Sequence, residues 1–95
     1  MPRARRAYYL VRLGNKEQAL EEIAQVEKSG SKDPEVLFWT AAIYEITGNR
    51  EKALDKLAAA IAGGFSPVII RTASELAQMR NDPRYIRLIE DKSPR

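Results

Sequence analysis

The chain contains neither cysteine nor histidine. Without cysteine it forms no disulfide and no thiolate metal site, and a reducing compartment suits it. The lack of both residue types also removes the commonest nucleophiles, general bases and transition-metal ligands. No apolar run approaches the roughly 20 residues that a membrane-spanning helix needs, and the run after the first arginines is too short for a secretory signal. We therefore expect a cytoplasmic protein outside the membrane.

Motifs that would indicate catalysis are also missing. Glu21 and Glu22 are adjacent in sequence, but neighbours in a helix point in different directions, so this pair does not converge on a substrate. Gly63-Gly64 follows a predicted helix and does not link a strand to a helix, so it lacks the context of a phosphate-binding loop. No acidic cluster has the spacing of a calcium loop. The sequence predicts no enzyme, no metal and no cofactor.

Positive charge is concentrated at the N-terminal end. The net charge is +3, and residues 1–14 contain four arginines, Arg3, Arg5, Arg6 and Arg12, and no acidic residue. A basic end can contact nucleic acid, but electrostatic binding needs several phosphate contacts from a clustered face. We expect a solvated helix start, with nucleic-acid contact through this helix as an alternative function.

The chain repeats itself at an interval of 34 residues, since Gly14-Asn15 recurs as Gly48-Asn49. In the same way Ala19-Leu20 recurs as Ala53-Leu54. A repeat at this period indicates two helices per unit, with successive units stacked side by side. The predicted fold is therefore all-α and a single domain of antiparallel helical hairpins.

Capping residues and turns mark where the predicted helices begin and end. A first helix suits Arg3 to Leu13, and Gly14 can take the left-handed conformation that ends it. Asn15 is expected to cap the second helix, and Asn49 occupies the same place in the second unit. The pairs Asp33-Pro34, Ser66-Pro67 and Asp82-Pro83 place a capping side chain before a proline, which opens a helix. They predict a third helix, a fifth helix to about Met79, and a short last helix through Glu90.

The spacing of large and small residues resembles the tetratricopeptide repeat. The segment from 34 to 67 fits best, with Leu37, Thr40, Ala41, Tyr44, Ala53 and Leu57 at the positions of that pattern. Ala41 and Ala53 are small enough for two helix backbones to approach closely. The first unit matches at Ala7, Leu10, Ala19 and Ile23, with Arg3 and Arg6 replacing large apolar residues, and the third at Ile69, Thr72, Ala73 and Leu76.

The resemblance implies a right-handed superhelix of about two and a half repeats with a short C-terminal capping helix. Repeat one would span about 3–30, repeat two about 34–64, and a partial repeat with its cap about 66–91. The structural repeat positions are Ala7, Gly14, Ala19, Ala41, Tyr44, Gly48, Ala53 and Leu57. The tail from Gly64-Phe65 to Tyr85 is also similar to the closing segment of repeat arrays in larger bacterial regulatory proteins.

Tetratricopeptide repeats bind other proteins in a concave groove that their first helices line. The resemblance thus implies a scaffold or protein-binding module whose partner is another protein, a peptide or a helix. The expected groove residues are Tyr8, Arg12, Phe38, Ala42, Glu45, Ile46, Ile70 and Ser74. Tyr8, Phe38, Ile46 and Ile70 would form an apolar floor, and Arg12 and Glu45 would supply polar anchors.

Two features of the groove have alternative explanations. The apolar patch could instead be covered by an upstream repeat or by a second copy of the chain, as in a homodimer. Trp39 could anchor a partner, because tryptophan is enriched among binding hot spots. A single tryptophan on so apolar a helix more often packs against the adjoining helix.

Overall fold

A computed structural model describes the backbone of residues 3–92 and the side chains of residues 3–90. Within this range the chain forms six α-helices, one 3₁₀ helix and no β-strand, so the all-α prediction is confirmed. The α-helices are α1 (Arg3–Arg12), α2 (Lys16–Lys28), α3 (Pro34–Ile46), α4 (Arg50–Ala62), α5 (Pro67–Thr72) and α6 (Pro83–Lys92), and the 3₁₀ helix covers Ser74–Asn81. Residues 1–2 and 93–95 of the predicted domain lie outside the described residues.

Short polar and glycine signals position most helix ends. The Asp33 carboxylate accepts a hydrogen bond from the Glu35 amide at 2.9 Å, which satisfies one free N–H at the start of α3. Asn49 does the same for α4 through the Lys52 amide at 3.2 Å. Asn15 stands before α2, but its side chain makes no capping bond. Gly48 follows α3 with φ +93°, a conformation that side-chain-bearing residues rarely adopt.

The first four helices form two hairpins that pack on each other through α3. Helix α1 packs on α2, and α3 packs on α4, while α3 also touches α1, α2 and the 3₁₀ helix. Alanines stand where these helices meet: Ala7, Ala19, Ala41 and Ala53 have no exposed surface. Their small side chains let the helix backbones approach, and larger buried residues fill the remaining space, including Ile23, Ile43 and Leu57.

The predicted fifth helix is wrong beyond Thr72. Helix α5 ends there, Ala73 is extended with ψ 115°, and the chain continues as the 3₁₀ helix. Ile70 and Leu76 are both fully buried. In a continuous α-helix residues six apart point about 120° away from each other, so the break lets both side chains enter one core. Ile69, which the repeat pattern would bury, is 51% exposed.

Helix α6 closes the C-terminal end of the described fold, as predicted for the last short helix. It packs on α4 and on the 3₁₀ helix, and it buries Tyr85 and Ile89. Asp82 caps it by accepting a hydrogen bond from the Arg84 amide at 2.9 Å. Hydrogen bonds from the Arg84 side chain and amide to this carboxyl lower the pKa of Asp82 to about 2.

Candidate partner-binding surface

Three of the expected groove residues belong to the core. Ala42 and Ile70 are fully buried, and Phe38 is 5% exposed. The Phe65 ring, in the loop before α5, stacks on the Phe38 ring with centroids 4.7 Å apart and planes 11° from parallel. The chain itself therefore covers these side chains, and the expectation of an open apolar floor at Phe38, Ala42 and Ile70 is corrected. Their apolar character is used inside the protein.

The more polar groove residues do come together. A depression of about 300 Å³ is lined by Arg12, Glu45, Ile46, Ser74, Glu75, Ala77 and Gln78. It lies where the C-terminal ends of α1 and α3 meet the 3₁₀ helix. We call it the polar depression. Four of the predicted groove residues, Arg12, Glu45, Ile46 and Ser74, line it, although the fifth helix that was expected to supply Ser74 ends at Thr72 and Ser74 lies on the 3₁₀ helix.

Glu45 is not a free anchor within the polar depression. Its carboxylate accepts two hydrogen bonds from Arg50, at 3.0 Å from Nε and 2.7 Å from Nη2. These bonds raise the pKa of Arg50, and the Glu45 side chain is only 6% exposed. A bidentate pair of this kind is strong and fixed in geometry. The Glu45 charge is therefore already compensated, and the exposed Arg12 and the carboxylate of Glu75 are the other charged groups of this depression.

A second depression adjoins the first one across Glu75. It has a volume of about 450 Å³ and is lined by Glu35, Phe38, Trp39, Phe65, Ile69, Thr72, Ala73 and Glu75. We call it the aromatic depression. Sequence analysis missed all of this lining except Phe38 and Trp39. A signal was present in Val68-Ile69-Ile70, because three successive apolar residues on a short surface helix cannot all face the core.

Tyr8 links α1 to the 3₁₀ helix between the two depressions. Its hydroxyl donates a hydrogen bond to Glu75 Oε1 at 3.1 Å, and its ring centroid lies 4.8 Å from that of Trp39. Burial and the hydrogen bond to Glu75 raise the pKa of Tyr8, which keeps the hydroxyl a donor. The predicted groove residue Tyr8 therefore organises the surface by positioning both Trp39 and Glu75.

Trp39 packs within the protein and also reaches its surface. Besides Tyr8, its ring contacts Phe38 edge-on at 5.5 Å, and the Arg5 Cζ lies 6.0 Å from its centroid. The indole N–H points to Glu35 Oε1 at 3.4 Å. The ring is half-buried and lines the aromatic depression. Packing against α1 and contact with a partner are therefore compatible roles for this side chain.

A scan of protein-family models, a search of curated proteins and a search of solved structures each gave no match to this chain. Its function must therefore be inferred from its own residues.

Other parts of the surface are less suited to a ligand. A depression of about 520 Å³ between α2, α3 and α4 is lined by Glu27, Lys32 and Lys56 together with apolar and small polar residues. Glu27 and Lys56 pair with each other at 2.8 Å, which compensates two of these three charges. Among residues 3–90, no three acidic side chains converge in the way that a metal ion requires. None of the helices in the described part of the chain combines the length and hydrophobicity needed to cross a bilayer.

Proposed function

We propose that this chain is a tetratricopeptide-repeat-like interaction module that holds a segment of another protein. In this proposal the module serves a larger cytoplasmic regulatory protein, and its hairpins stack as a right-handed superhelix. The binding surface consists of the polar and aromatic depressions. The 34-residue repeat and the fully buried alanines at matching positions support the repeat assignment.

One observation carries the assignment of the surface. An aromatic depression with partly exposed Trp39 and Ile69 continues into a polar depression with exposed Arg12. Apolar anchors beside polar groups are the usual composition of a recognition surface, and tryptophan and arginine are enriched among binding hot spots. Two depressions in a row suit an extended segment that places successive side chains in each of them.

The surface is tested with selected peptides. Random dodecapeptides displayed on phage are selected on the purified chain, and the best of them are synthesised for affinity measurements. Ile69→Ala removes an apolar side chain from the aromatic depression without changing its charge. Val68→Ala is the matched control, because Val68 is the neighbouring residue, is similarly exposed, and does not line the depression.

We expect Ile69→Ala to weaken binding by about tenfold or more, the loss of one hot-spot contact, and Val68→Ala to leave it nearly unchanged. Arg12→Ala should also weaken binding if the peptide enters the polar depression. Equal affinities for the wild type and the Ile69→Ala variant would show that the surface is wrongly assigned. Circular dichroism spectra of all variants establish that the helices are retained.

Self-association is a second candidate function, and a different face of α1 favours it. Arg6, Tyr9 and Leu13 follow one another at helical spacing, and Tyr9 and Leu13 are 45% and 76% exposed. In the 34-residue repeat, Arg6 and Tyr9 correspond to Thr40 and Ile43. These two residues are 2% and 0% exposed, because the second hairpin packs on the first. The same face of α1 is therefore suited to cover by another hairpin, such as one from a second copy. Light scattering should then show a dimer that Leu13→Asp dissociates.

Nucleic-acid contact by α1 has weaker support. Arg3 pairs with Glu22 at 3.3 Å, and Arg5 lies over the Trp39 ring. Two of the four arginines are therefore engaged inside the chain, while binding to phosphates needs several cations on one face. An affinity for nucleic acid that falls steeply with rising salt would favour this alternative over peptide binding.

A further inference from the structure

We infer that the aromatic depression receives a cationic side chain, lysine or arginine, from the bound segment. This inference rests on the proposed function and names the chemistry of the partner. It follows from the charges that surround the depression and from the aromatic rings that form its walls.

The lining of the aromatic depression is negative as well as apolar. Two carboxylates, Glu35 and Glu75, belong to it, and no lysine or arginine is among its lining residues, although Arg5 and Arg80 contact the lining residues Trp39 and Ala73 from outside it. Its apolar members include the partly exposed rings of Trp39 and Phe65 and the exposed side chain of Ile69. Aromatic faces carry partial negative charge and attract cations. An apolar stem that ends in a positive group therefore matches both parts of this lining.

The two carboxylates keep their charge available for a ligand. Within residues 3–90, Glu35 accepts a hydrogen bond from the neutral indole of Trp39. Glu75 accepts hydrogen bonds from the neutral hydroxyls of Tyr8 and Ser74. Neutral donors orient a carboxylate without cancelling its charge. Glu45 in the polar depression differs in this respect, because Arg50 neutralises it.

The chain itself contains an example of the expected contact. The Arg5 guanidinium lies over the Trp39 ring at 6.0 Å, at the limit of a cation–π interaction. This ring therefore already lies beside a cation on the α1 side. The depression, at about 450 Å³, is within the roughly 300–1,000 Å³ that ligand pockets occupy. It has room for the methylene stem of a lysine along Phe65 and Ile69, with the ammonium at the carboxylates.

The experiment uses the peptides selected for the proposed function. Trp39 is the only tryptophan in the chain, so its fluorescence reports binding at the depression without a label. Each lysine or arginine of the tightest peptide is replaced in turn by norleucine, which keeps the apolar stem and removes the charge. Affinities are then measured for the wild type and for the Glu35→Gln/Glu75→Gln double variant. Glutamine can still accept the hydrogen bonds from Trp39 and Tyr8, so the local geometry is retained.

We expect the selected peptides to be rich in lysine and arginine. One norleucine replacement should weaken binding to the wild type by about fivefold, the size of an exposed cation–π contact together with an exposed ion pair. The same replacement should have a clearly smaller effect on the double variant, because only the contact with the aromatic rings remains. Glu17→Gln/Glu21→Gln is the matched control, because it removes the same charge from exposed positions on α2, and it should retain the wild-type preference.

The possible failures are distinguishable. If selected peptides bind in an Ile69-dependent way but contain no basic residue that norleucine weakens, the proposed function stands and this inference is refuted. A lysine preference of undiminished size in the Glu35→Gln/Glu75→Gln variant also refutes it, because the cation would then bind elsewhere. If selection yields no peptide that binds, the proposed surface and this inference fail together.

Discussion

Tyr44→Phe tests the contact that joins the two hairpins. The Tyr44 hydroxyl, on α3, donates a hydrogen bond to Glu27 Oε2 on α2 at 3.0 Å. Lys56, on α4, lies 2.8 Å from the other oxygen of the same carboxylate. Three helices thus meet at one acidic group. The variant removes one hydroxyl and leaves the ring, which is 6% exposed, in place.

The size of the expected pH dependence of stability follows from the pKa of Tyr44. Burial and the hydrogen bond to Glu27 raise the pKa of Tyr44 from 10.0 to about 12. A shift of this size corresponds to at most about 3 kcal/mol of stability that the wild type loses between pH 10 and about pH 12. The Glu27 side chain is 35% exposed, so solvent screening reduces the effect to about 1–2 kcal/mol.

Because the pKa of Tyr44 is raised, its contribution to stability changes at alkaline pH. Below pH 10 the Tyr44 hydroxyl is protonated in both states, and its contribution to stability is fully present. Between pH 10 and about pH 12 the unfolded chain loses the proton first, so the folded state is destabilised as the pH rises. Glu27 affects stability at acidic pH. Burial opposes its ionisation, but hydrogen bonds from Lys56 and Tyr44 lower its pKa below 4.5, so its contribution is lost as the pH falls from 4.5.

The assay is urea unfolding of the wild type and Tyr44→Phe at several pH values, with circular dichroism as the signal that monitors unfolding. At pH 7 we expect the variant to be about 1 kcal/mol less stable, which lowers the melting temperature of a domain this size by about 4–8 °C. The difference between the two proteins should shrink from pH 10 upwards. Titrating groups that both proteins share contribute equally to the two free energies of unfolding, so they cancel in this difference.

Tyr85→Phe is the matched control. The Tyr85 hydroxyl is buried and has no hydrogen-bond partner among the described residues, so its removal should cost no stability. Equal losses for the two variants at pH 7 would refute the role assigned to the Tyr44–Glu27 bond. So would a difference between wild type and Tyr44→Phe that stays constant between pH 8 and pH 12.

Three further predictions concern packing, backbone and surface charge. Ala41→Leu and Ala53→Leu should each lower the free energy of unfolding by about 1–3 kcal/mol, since both side chains are fully buried between helices. Urea melts in which either variant is as stable as the wild type would contradict this packing. Gly48→Ala should cost about 1 kcal/mol, because φ is +93° and no neighbour is near enough to compensate; thermal melts check this value. Glu51→Gln breaks the exposed pair with Arg84 and should leave the unfolding midpoint unchanged, at low and high salt alike.

The parts of the fold that sequence predicts well are those set by local chemistry. Asp33 and Asn49 cap their helices through neighbouring amides, and such bonds need no information from distant residues. The burial of Ala41 and Ala53 was expected from their spacing in the repeat. The caps depend on residues at one turn, and the alanine positions depend on the spacing between adjacent helices of one hairpin.

The third unit could not be predicted in the same way. Its pattern of apolar residues continues as a helix, but the chain breaks at Ala73 because Ile70 and Leu76 enter the same core. That core is made by α3 and α6, so the break depends on contacts between segments distant in sequence. A periodicity within one segment contains no information about which face its distant neighbours will cover.

The pairing of charged side chains could not be predicted from the sequence either. Sequence analysis assigned Glu45 to a partner, whereas the structure pairs it with Arg50, five residues later and beyond the turn. The same reasoning placed Phe38 on the open floor of the groove, where a substitution would test partner binding. Phe38 is a core residue, and a charge there would destabilise the fold itself. Ile69 is the better position for this test because it is exposed beside the same rings.

The 3₁₀ helix explains why the candidate surface differs from the groove that a regular repeat would form. Its eight residues exceed the three or four usual for this conformation, whose hydrogen bonds are weaker than those of an α-helix. Outside contacts must therefore support it, and these are the burial of Leu76 and Met79 and the Tyr8–Glu75 hydrogen bond. This segment supplies Glu75 to both depressions. Under the proposed function, specificity for a partner therefore depends on how the chain departs from its own repeat.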